Sequence, residues 1–152
     1  MDGGLPGGLM ARPRRSGVLL TMEKTSMLQN SPLYAYLPAR DLDRARRFYE
    51  DTLAFVPKSL NNGGVTYEFA GGTAAFLYPT DKAGTSQASQ AFWSVEDVDR
   101  EIAELKTRGV VFERYDDMPG ERSSEGAIIA GGAKAAWFKD SEGNILAIIQ
   151  TL

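Results

Sequence analysis

The stretch Asp-Leu-Asp-Arg at residues 41–44 recurs 56 positions later as Asp-Val-Asp-Arg at residues 97–100. Each copy follows a short apolar run that is rich in aromatic residues, 33–37 in the first case and 91–95 in the second. Each copy also opens a segment whose apolar residues have helical spacing. A repeat of this length indicates two copies of one supersecondary unit, and this interpretation sets the predicted fold.

The first unit is predicted to contain a strand, a helix and three further strands. Its first strand is at 33–37, and the apolar residues of the helix that follows share one face: Leu42, Ala45, Tyr49 and Leu53. The next strands are at 55–60, 65–69 and 73–78. The pairs Asn62-Gly63 and Gly71-Gly72 separate these strands as hairpin turns.

The second unit repeats this order. A strand at 90–95 precedes a helix at 96–108, which Gly109 ends in the position that favours a left-handed conformation. The later strands are predicted at 110–115, 133–138 and 145–150, with a polar loop at 116–125, a short strand at 126–130 and a tight turn at 140–144. The two units predict an α+β fold, in which two βαβββ modules form a curved mixed sheet around a cavity with the helices on the outer face.

The domain organisation follows from composition. Residues 1–30 are rich in glycine and proline and are predicted to be a flexible tail, because these residues oppose both helix and strand. The apolar run at 18–20 is too short for the core of a signal peptide, which needs about 7–15 residues. A single domain is predicted at 31–152, with module one at 31–80, a linker at 81–89 and module two at 90–152.

The chain has no histidine and no cysteine among its 152 residues. The absence of cysteine excludes disulfides and thiolate chemistry, and it fits the reducing cytoplasm, which is the predicted location. The absence of histidine removes the commonest metal ligand and the commonest general base near neutral pH.

The charge distribution limits the partners. The formal charge is −3, and residues 1–30 carry a net +2, so the remainder carries −5. An acidic body argues against nucleic acid as a partner and mildly favours neutral or cationic small molecules. No apolar run approaches the roughly 20 residues needed to span a bilayer, so no membrane association is expected.

Several segments resemble the vicinal oxygen chelate superfamily, the fold of glyoxalases, bleomycin resistance proteins and dioxygenases. Residues 138–146 are similar to its Phe-x-Asp-Pro-x-Gly-Asn signature, with Ser141 in the place of proline. The other matching segments are 41–49, 53–55, 97–99 and 108–110. The resemblance spans residues 32–151 and implies the two-module fold. It also implies a homodimer with cavities at or near the interface.

The resemblance locates the positions of a metal site. In metal-using members, each module supplies a His or other ligand on its first strand and a Glu on its last strand. These positions fall at Tyr34 and Gln90, near Ala75, and at Ala147. Alanine has no donor atom, and a neutral phenol and amide are weak ligands for zinc, nickel or iron. We therefore expect no metal and no other cofactor, which argues against glyoxalase I and extradiol dioxygenase activity.

The aromatic residues of the same strands indicate a different site. Strand alternation places Tyr36 on the face of Tyr34, and Phe92 on the face of Gln90, and these faces are expected to line the cavity. The opposite face is expected to pack beneath the helices through Ala35, Leu37, Trp93 and Val95. Trp137 is assigned to the cavity because the signature Phe usually packs in the core of this family. The predicted ligand-binding residues are Tyr34, Tyr36, Gln90, Phe92, Trp137 and Ala147.

Three functional hypotheses remain open. The first is a metal-independent protein that binds an aromatic or hydrophobic organic molecule, for example in drug sequestration. The second is a metal-independent isomerase or lyase, whose catalytic candidates are Glu68 and Tyr34. Of the neighbours Tyr67 and Glu68, one is expected to face the cavity. The third is a regulatory or interaction module.

Overall fold

The structure is a computed structural model that describes residues 27–152. The predicted tail therefore lies outside the described residues as far as residue 26. Met27–Leu33 contain one short 3₁₀ turn, Leu28–Asn30, and Tyr34–Leu152 form one compact unit. Within residues 27–152 no helix is long and apolar enough to cross a membrane.

Module one contains four strands, one α-helix and a short 3₁₀ turn at Ala70–Gly72. The strands and the α-helix are β1 (Tyr34–Ala39), α1 (Leu42–Arg47, continued by a π-helical turn at Phe48–Thr52), β2 (Pro57–Asn61), β3 (Gly64–Glu68) and β4 (Ala74–Pro79). The strand order is β1-β4-β3-β2, with β1 parallel to β4 and the other pairs antiparallel. The predicted turn at Asn62-Gly63 is confirmed, because Asn61 pairs with Gly64 across it.

Module two has the same plan with one additional strand. Its elements are β5 (Ala91–Ser94), α2 (Val98–Thr107), β6 (Glu121–Arg122), β7 (Ile128–Ala130), β8 (Ala133–Lys139) and β9 (Ile145–Thr151). The order is β5-β9-β8-β7-β6, with β5 parallel to β9. The predicted α+β fold with two βαβββ modules is confirmed, and each module forms its own mixed sheet.

The repeated tetrapeptide is a helix cap. The side chain of Asp41 accepts a hydrogen bond from the amide of Arg44 at 3.0 Å, and that of Asp97 accepts one from the amide of Arg100 at 3.1 Å. Each aspartate thereby satisfies an amide that the first turn of its helix leaves without a partner. The sequence repeats because both modules start their helix in the same way.

The two modules share one hydrophobic core. Trp93 of β5 contacts Phe55 and Phe69 of module one, with ring centroids 5.7 Å apart in both pairs. Leu37 is 2% exposed, and Ala35, Trp93 and Val95 pack against the same core, so the predicted packing of these four residues is confirmed. We call this the core face of each sheet. The opposite side, the open face, is directed away from the shared core.

The turn between β8 and β9 joins the modules. Asp140 accepts hydrogen bonds from the amides of Glu142 and Asn144, and Gly143 has a φ of +86°, so the predicted turn is confirmed. The Tyr49 hydroxyl of module one donates to Asp140 at 2.5 Å. The amide side chain of Asn144 donates to the carbonyl of Pro38. Residues of module one therefore hold this turn of module two in place, in addition to the bonds within the turn.

Glu142 binds the start of α1. Its Oε1 accepts hydrogen bonds from the amides of Arg40 and Asp41, both at 2.9 Å, and its Oε2 lies 2.8 Å from Nε of Arg44. Burial opposes ionisation, but the hydrogen bonds from Arg44, the Asp41 amide and the Ser141 hydroxyl lower the pKa of Glu142 to about 2. A carboxylate at a helix N-terminus is also favoured by the helix dipole.

Two predicted features of the sheets are wrong. The segment 110–115 is not a strand, because it makes a single bridge to β8, between Phe112 and Phe138, whereas the edge of β8 at Ala133–Ala135 is paired with β7. The short strand β6 lies within the predicted polar loop at 116–125. Ala75 lies on the core face at 2% exposure, and its neighbour Ala74 pairs with Tyr34 instead. The residue opposite Tyr34 is thus Ala74, which lies within the position predicted near Ala75.

Candidate functional site

The open face of the first sheet carries stacked aromatic rings. Tyr36 on β1 is paired in register with Phe76 on β4, and its ring centroid lies 5.9 Å from that of Phe76. The centroid of Tyr78 lies 3.9 Å from that of Tyr36, with an interplanar angle of 19°. We call Tyr36, Phe76 and Tyr78 the tyrosine stack. These rings form a flat apolar surface with hydroxyl groups on two members.

The tyrosine stack is accessible. Tyr36 is 62% exposed and its neighbour on the same face, Tyr34, is 48% exposed. Burial of such rings is favourable, so grouped exposed aromatic side chains indicate a surface that contacts a ligand or a partner. The structure places Tyr34 and Tyr36 on the same open face, and their role in ligand binding stays a prediction.

The open face of the second sheet carries a row of three predicted residues. Phe92 on β5 pairs with Ala147 on β9, and Ala147 pairs with Trp137 on β8. Phe92 is 60% exposed and Trp137 is half-buried, whereas Ala147 is 1% exposed and forms the floor between the two rings. Gln90 is exposed and directly precedes β5, and its backbone amide donates to the carbonyl of Ile145.

A cavity of about 530 Å³ lies beside this row. The segment 110–116 and β8 contribute much of its wall, and Trp137 is shared between the cavity and the row. Tyr115 meets Trp137 edge to face at a centroid distance of 5.5 Å. Burial, followed by the charge of Glu113, raises the pKa of the Tyr115 phenol. The volume lies in the range of pockets that hold drug-sized molecules, about 300–1,000 Å³.

The catalytic candidate Glu68 is an exposed, ion-paired residue. It lies on the open face, since it pairs with Ala74, and Tyr67 lies on the core face at 1% exposure. Lys58 contacts Glu68 at 2.5 Å, and the side chains are 57% and 50% exposed. The hydrogen bond that Lys58 donates to Glu68, followed by the negative charge of Glu68, raises the pKa of Lys58. Water screens such a pair strongly, and the carboxylate of Glu68 is half exposed rather than enclosed in a cavity.

The residues at the family's metal positions do not fit a divalent ion. The structure places Tyr34 opposite Ala74 in the first sheet. In the second sheet Gln90 directly precedes β5, on which Phe92 pairs with Ala147. Two of the four positions therefore have no donor atom, and the others offer a neutral phenol and a neutral amide. Among residues 27–152 no group of three or more Asp, Glu, His or Cys side chains is arranged to hold a metal ion.

Sequence reasoning missed several residues of these faces. Phe76 and Tyr78 alternate with core residues on β4, and this period-two spacing was a signal for their shared face. Glu113 and Tyr115 are also two residues apart, on segment 110–116, but the residue between them, Arg114, is exposed. Their position beside Trp137 depends on the single bridge to β8, which no local pattern indicates.

Comparisons with known proteins agree on the family and the fold. The family model described as the glyoxalase/bleomycin resistance protein/dioxygenase superfamily matches residues 31–148. No curated protein matches the chain. A glyoxalase/bleomycin resistance protein/dioxygenase from Alicyclobacillus acidocaldarius has a similar structure, with a TM-score of 0.62 and 22% identity over 81% of this chain and 92% of the other.

Two further solved structures show the range of proteins with this fold. TnmS3, an antibiotic binding protein from Streptomyces sp. CB03234, has a TM-score of 0.60 and 21% identity over 80% of this chain and 96% of its own. A lactoylglutathione lyase from Agrobacterium tumefaciens has a TM-score of 0.53 and 19% identity over 79% of this chain and 92% of its own. At these identities the likeness shows the fold alone.

Proposed function

Because the chain belongs to the glyoxalase/bleomycin resistance protein/dioxygenase superfamily, we propose that it is a metal-independent binding protein for aromatic or hydrophobic organic molecules. The observation that carries this proposal is the tyrosine stack, in which Tyr36 remains 62% exposed while it stacks on Tyr78 at 3.9 Å. A planar ligand would extend this stack and gain about 0.5–1.5 kcal/mol per ring contact beyond the burial of its area.

The residues at the four metal-ligand positions of the family support binding without a metal. Catalysis by the metal-using members requires an ion as Lewis acid or oxygen activator, and Ala74 and Ala147 supply no ligand atom for one. The same two alanines place a methyl group, and no charge, at these positions of the open faces. A flat organic molecule fits a floor of small residues between aromatic walls.

We place the complete ligand site between two copies of the chain. The open faces are directed away from one shared core, so the tyrosine stack and the Phe92–Trp137 row of one chain do not face each other. In a two-fold dimer, the first sheet of one copy can face the second sheet of its partner, and each site then receives aromatic rings from both copies. The exposure of Tyr36 and Phe92 supports this arrangement.

Sequestration of a toxic compound in the cytoplasm is the biological role that we propose. The chain shares its fold with an antibiotic binding protein, and its lack of cysteine suits a reducing compartment. Tight binding without turnover is sufficient for this role. The alternative of an isomerase or lyase requires a catalytic carboxylate, and the exposed ion pair of Glu68 with Lys58 does not favour it.

A thermal-shift screen of planar aromatic drugs and aliphatic controls tests the proposal on the full chain. We expect several planar compounds to raise the melting temperature, and we expect Tyr36→Leu to abolish most of that increase. A response to aliphatic compounds alone, or equal responses of the wild type and the variant, would show that the tyrosine stack is not the binding surface.

A further inference from the structure

We infer that the molecule bound by this protein carries a positively charged group, and that Glu113 receives this group beside the rings of Tyr115 and Trp137. The inference rests on the proposed function and adds the charge of the ligand to it. Three observations carry it: the position of Glu113, its lack of a charge partner, and the rings that flank it.

Glu113 extends the row of the open face. Its amide donates to the carbonyl of Trp137 at 2.8 Å, directly beyond the bridge between Phe112 and Phe138. Phe112 and Phe138 both pack in the core, and side chains alternate along extended backbone. Glu113 therefore shares the open face with Trp137, and it follows Phe92, Ala147 and Trp137 in one line across the sheet.

The carboxylate of Glu113 has no counter-ion within residues 27–152. It is half-buried, it lines the cavity, and it makes no hydrogen bond or ion pair with a described side chain. Other carboxylates at the cavity are paired, since Glu125 lies 3.5 Å from Lys106 and Asp116 lies 3.4 Å from Arg114. An unpaired acid in a partly dehydrated site gains most from a cation that arrives with the ligand.

The neighbouring rings suit the same cation. Tyr115 and Trp137 meet at an interplanar angle of 69°, so the ring face of one lies beside the ring edge of the other. The negative face of such a ring attracts ammonium and amidinium groups. An aromatic body on the Phe92–Trp137 row would place a basic substituent within reach of Glu113.

Arg122 is the cavity residue that would favour a negatively charged ligand. Its guanidinium lines the cavity without a carboxylate partner, but its nitrogens donate to the carbonyls of Tyr115, Met118 and Gly120. These three bonds occupy three of the five N–H donors and hold the guanidinium against the backbone. An anionic ligand would be left with the two remaining donors, whereas the carboxylate of Glu113 is wholly available to a cation.

Three planar probes of similar size and different charge test the inference on the full-length chain. They are proflavine, which is a cation, acridone, which is neutral, and anthracene carboxylate, which is an anion. Fluorescence titration gives each affinity for the wild type, for Glu113→Gln and for the control Glu121→Gln. Glu121 lies on β6, is exposed and does not line the cavity, so its variant removes the same charge elsewhere.

We expect the wild type to bind proflavine about tenfold more tightly than acridone, and Glu113→Gln to remove this preference while acridone affinity stays unchanged. Glu121→Gln should keep the preference. Equal affinities for proflavine and acridone in the wild type, or a preference that survives in Glu113→Gln, would overturn the inference and leave the proposed function intact. If anthracene carboxylate binds most tightly, Arg122 rather than Glu113 selects the charge of the ligand, and the inference is wrong. Failure of all three probes to bind would contradict the proposed function as well.

Discussion

Arg44 and Glu142 lie 98 positions apart in the chain, yet Nε of Arg44 is 2.8 Å from Oε2 of Glu142. The side chain of Glu142 has no exposed area, and that of Arg44 is 48% exposed. The contact joins the first turn of α1 in module one to the turn between β8 and β9 in module two. Glu142 is thus a structural residue of the signature turn. It lies apart from the open faces that we propose for binding.

We expect Glu142→Gln to lower the free energy of unfolding by about 2–4 kcal/mol at neutral pH, because the buried carboxylate loses the charge to which Arg44 and two backbone amides donate. The pKa of Glu142 is about 2 in the folded chain and its ordinary value is 4.5. A depressed pKa stabilises the folded state fully above the ordinary value, and this contribution is lost as the pH falls from about 4.5 towards 2. Urea unfolding across this range measures the loss in the wild type.

The control for this experiment is Glu121→Gln, which removes an exposed carboxylate. Its stability should fall with decreasing pH as the wild type does, whereas the curve of Glu142→Gln should be flatter below pH 4.5. Parallel curves for all three proteins would mean that Glu142 contributes nothing through its charge.

Tyr49→Phe tests a second contact between the modules, the hydrogen bond from Tyr49 of module one to Asp140 of module two. The variant removes a buried hydroxyl that donates to Asp140 at 2.5 Å, and Asp140 keeps its bonds from Glu142 and Asn144. We expect a loss of about 1–3 kcal/mol in the free energy of unfolding, with unchanged affinity for planar ligands. Urea unfolding together with ligand titration checks both parts. A loss of affinity larger than the loss of stability can explain would place Tyr49 in the binding site.

The parts of the fold that depend on local patterns could be predicted from the sequence. A helix cap such as Asp41 acts within three residues, so the repeat revealed both helices and the two modules. Strand alternation similarly separated Leu37 from Tyr36, because the side-chain period of a strand is two. These features need no information from distant parts of the chain.

The features that depend on distant contacts could not be predicted in this way. The pairing of Arg44 with Glu142 connects segments that nothing local relates. The segment 110–115 has strand-like composition, but it makes a single bridge to β8, at Phe138, while β7 pairs with the other end of the same edge. The place of Glu113 beside Trp137 depends on that bridge between distant segments and was missed for the same reason.

Tyr36→Leu is expected to weaken the binding of planar aromatic ligands about five- to tenfold, because it removes the ring that stacks on Tyr78. Tyr36 is 62% exposed, so the free energy of unfolding should change by less than about 0.5 kcal/mol. Fluorescence titration and urea unfolding of the same preparations measure both quantities. Glu68→Gln is the matched control on this face, and an equal loss of affinity in that variant would point to a catalytic or polar role for Glu68.

Phe92→Lys tests the site between two copies. Burial of the Phe92 ring against a partner would make a lysine at this position unfavourable, so we expect the variant to dissociate at concentrations at which the wild type sediments with twice the chain mass. The variant should also bind planar ligands more weakly. Wild-type chains that sediment as monomers at all concentrations, with full ligand affinity, would rule out the shared site.

The central claim is that aromatic surface holds the ligand without a metal ion. The most direct measurement is the affinity of the full chain for a planar aromatic compound before and after exhaustive treatment with a chelator, followed by addition of zinc, nickel or iron. We expect the same dissociation constant and the same melting temperature in every sample. Loss of binding after chelation, with recovery on addition of one of these ions, would contradict the account.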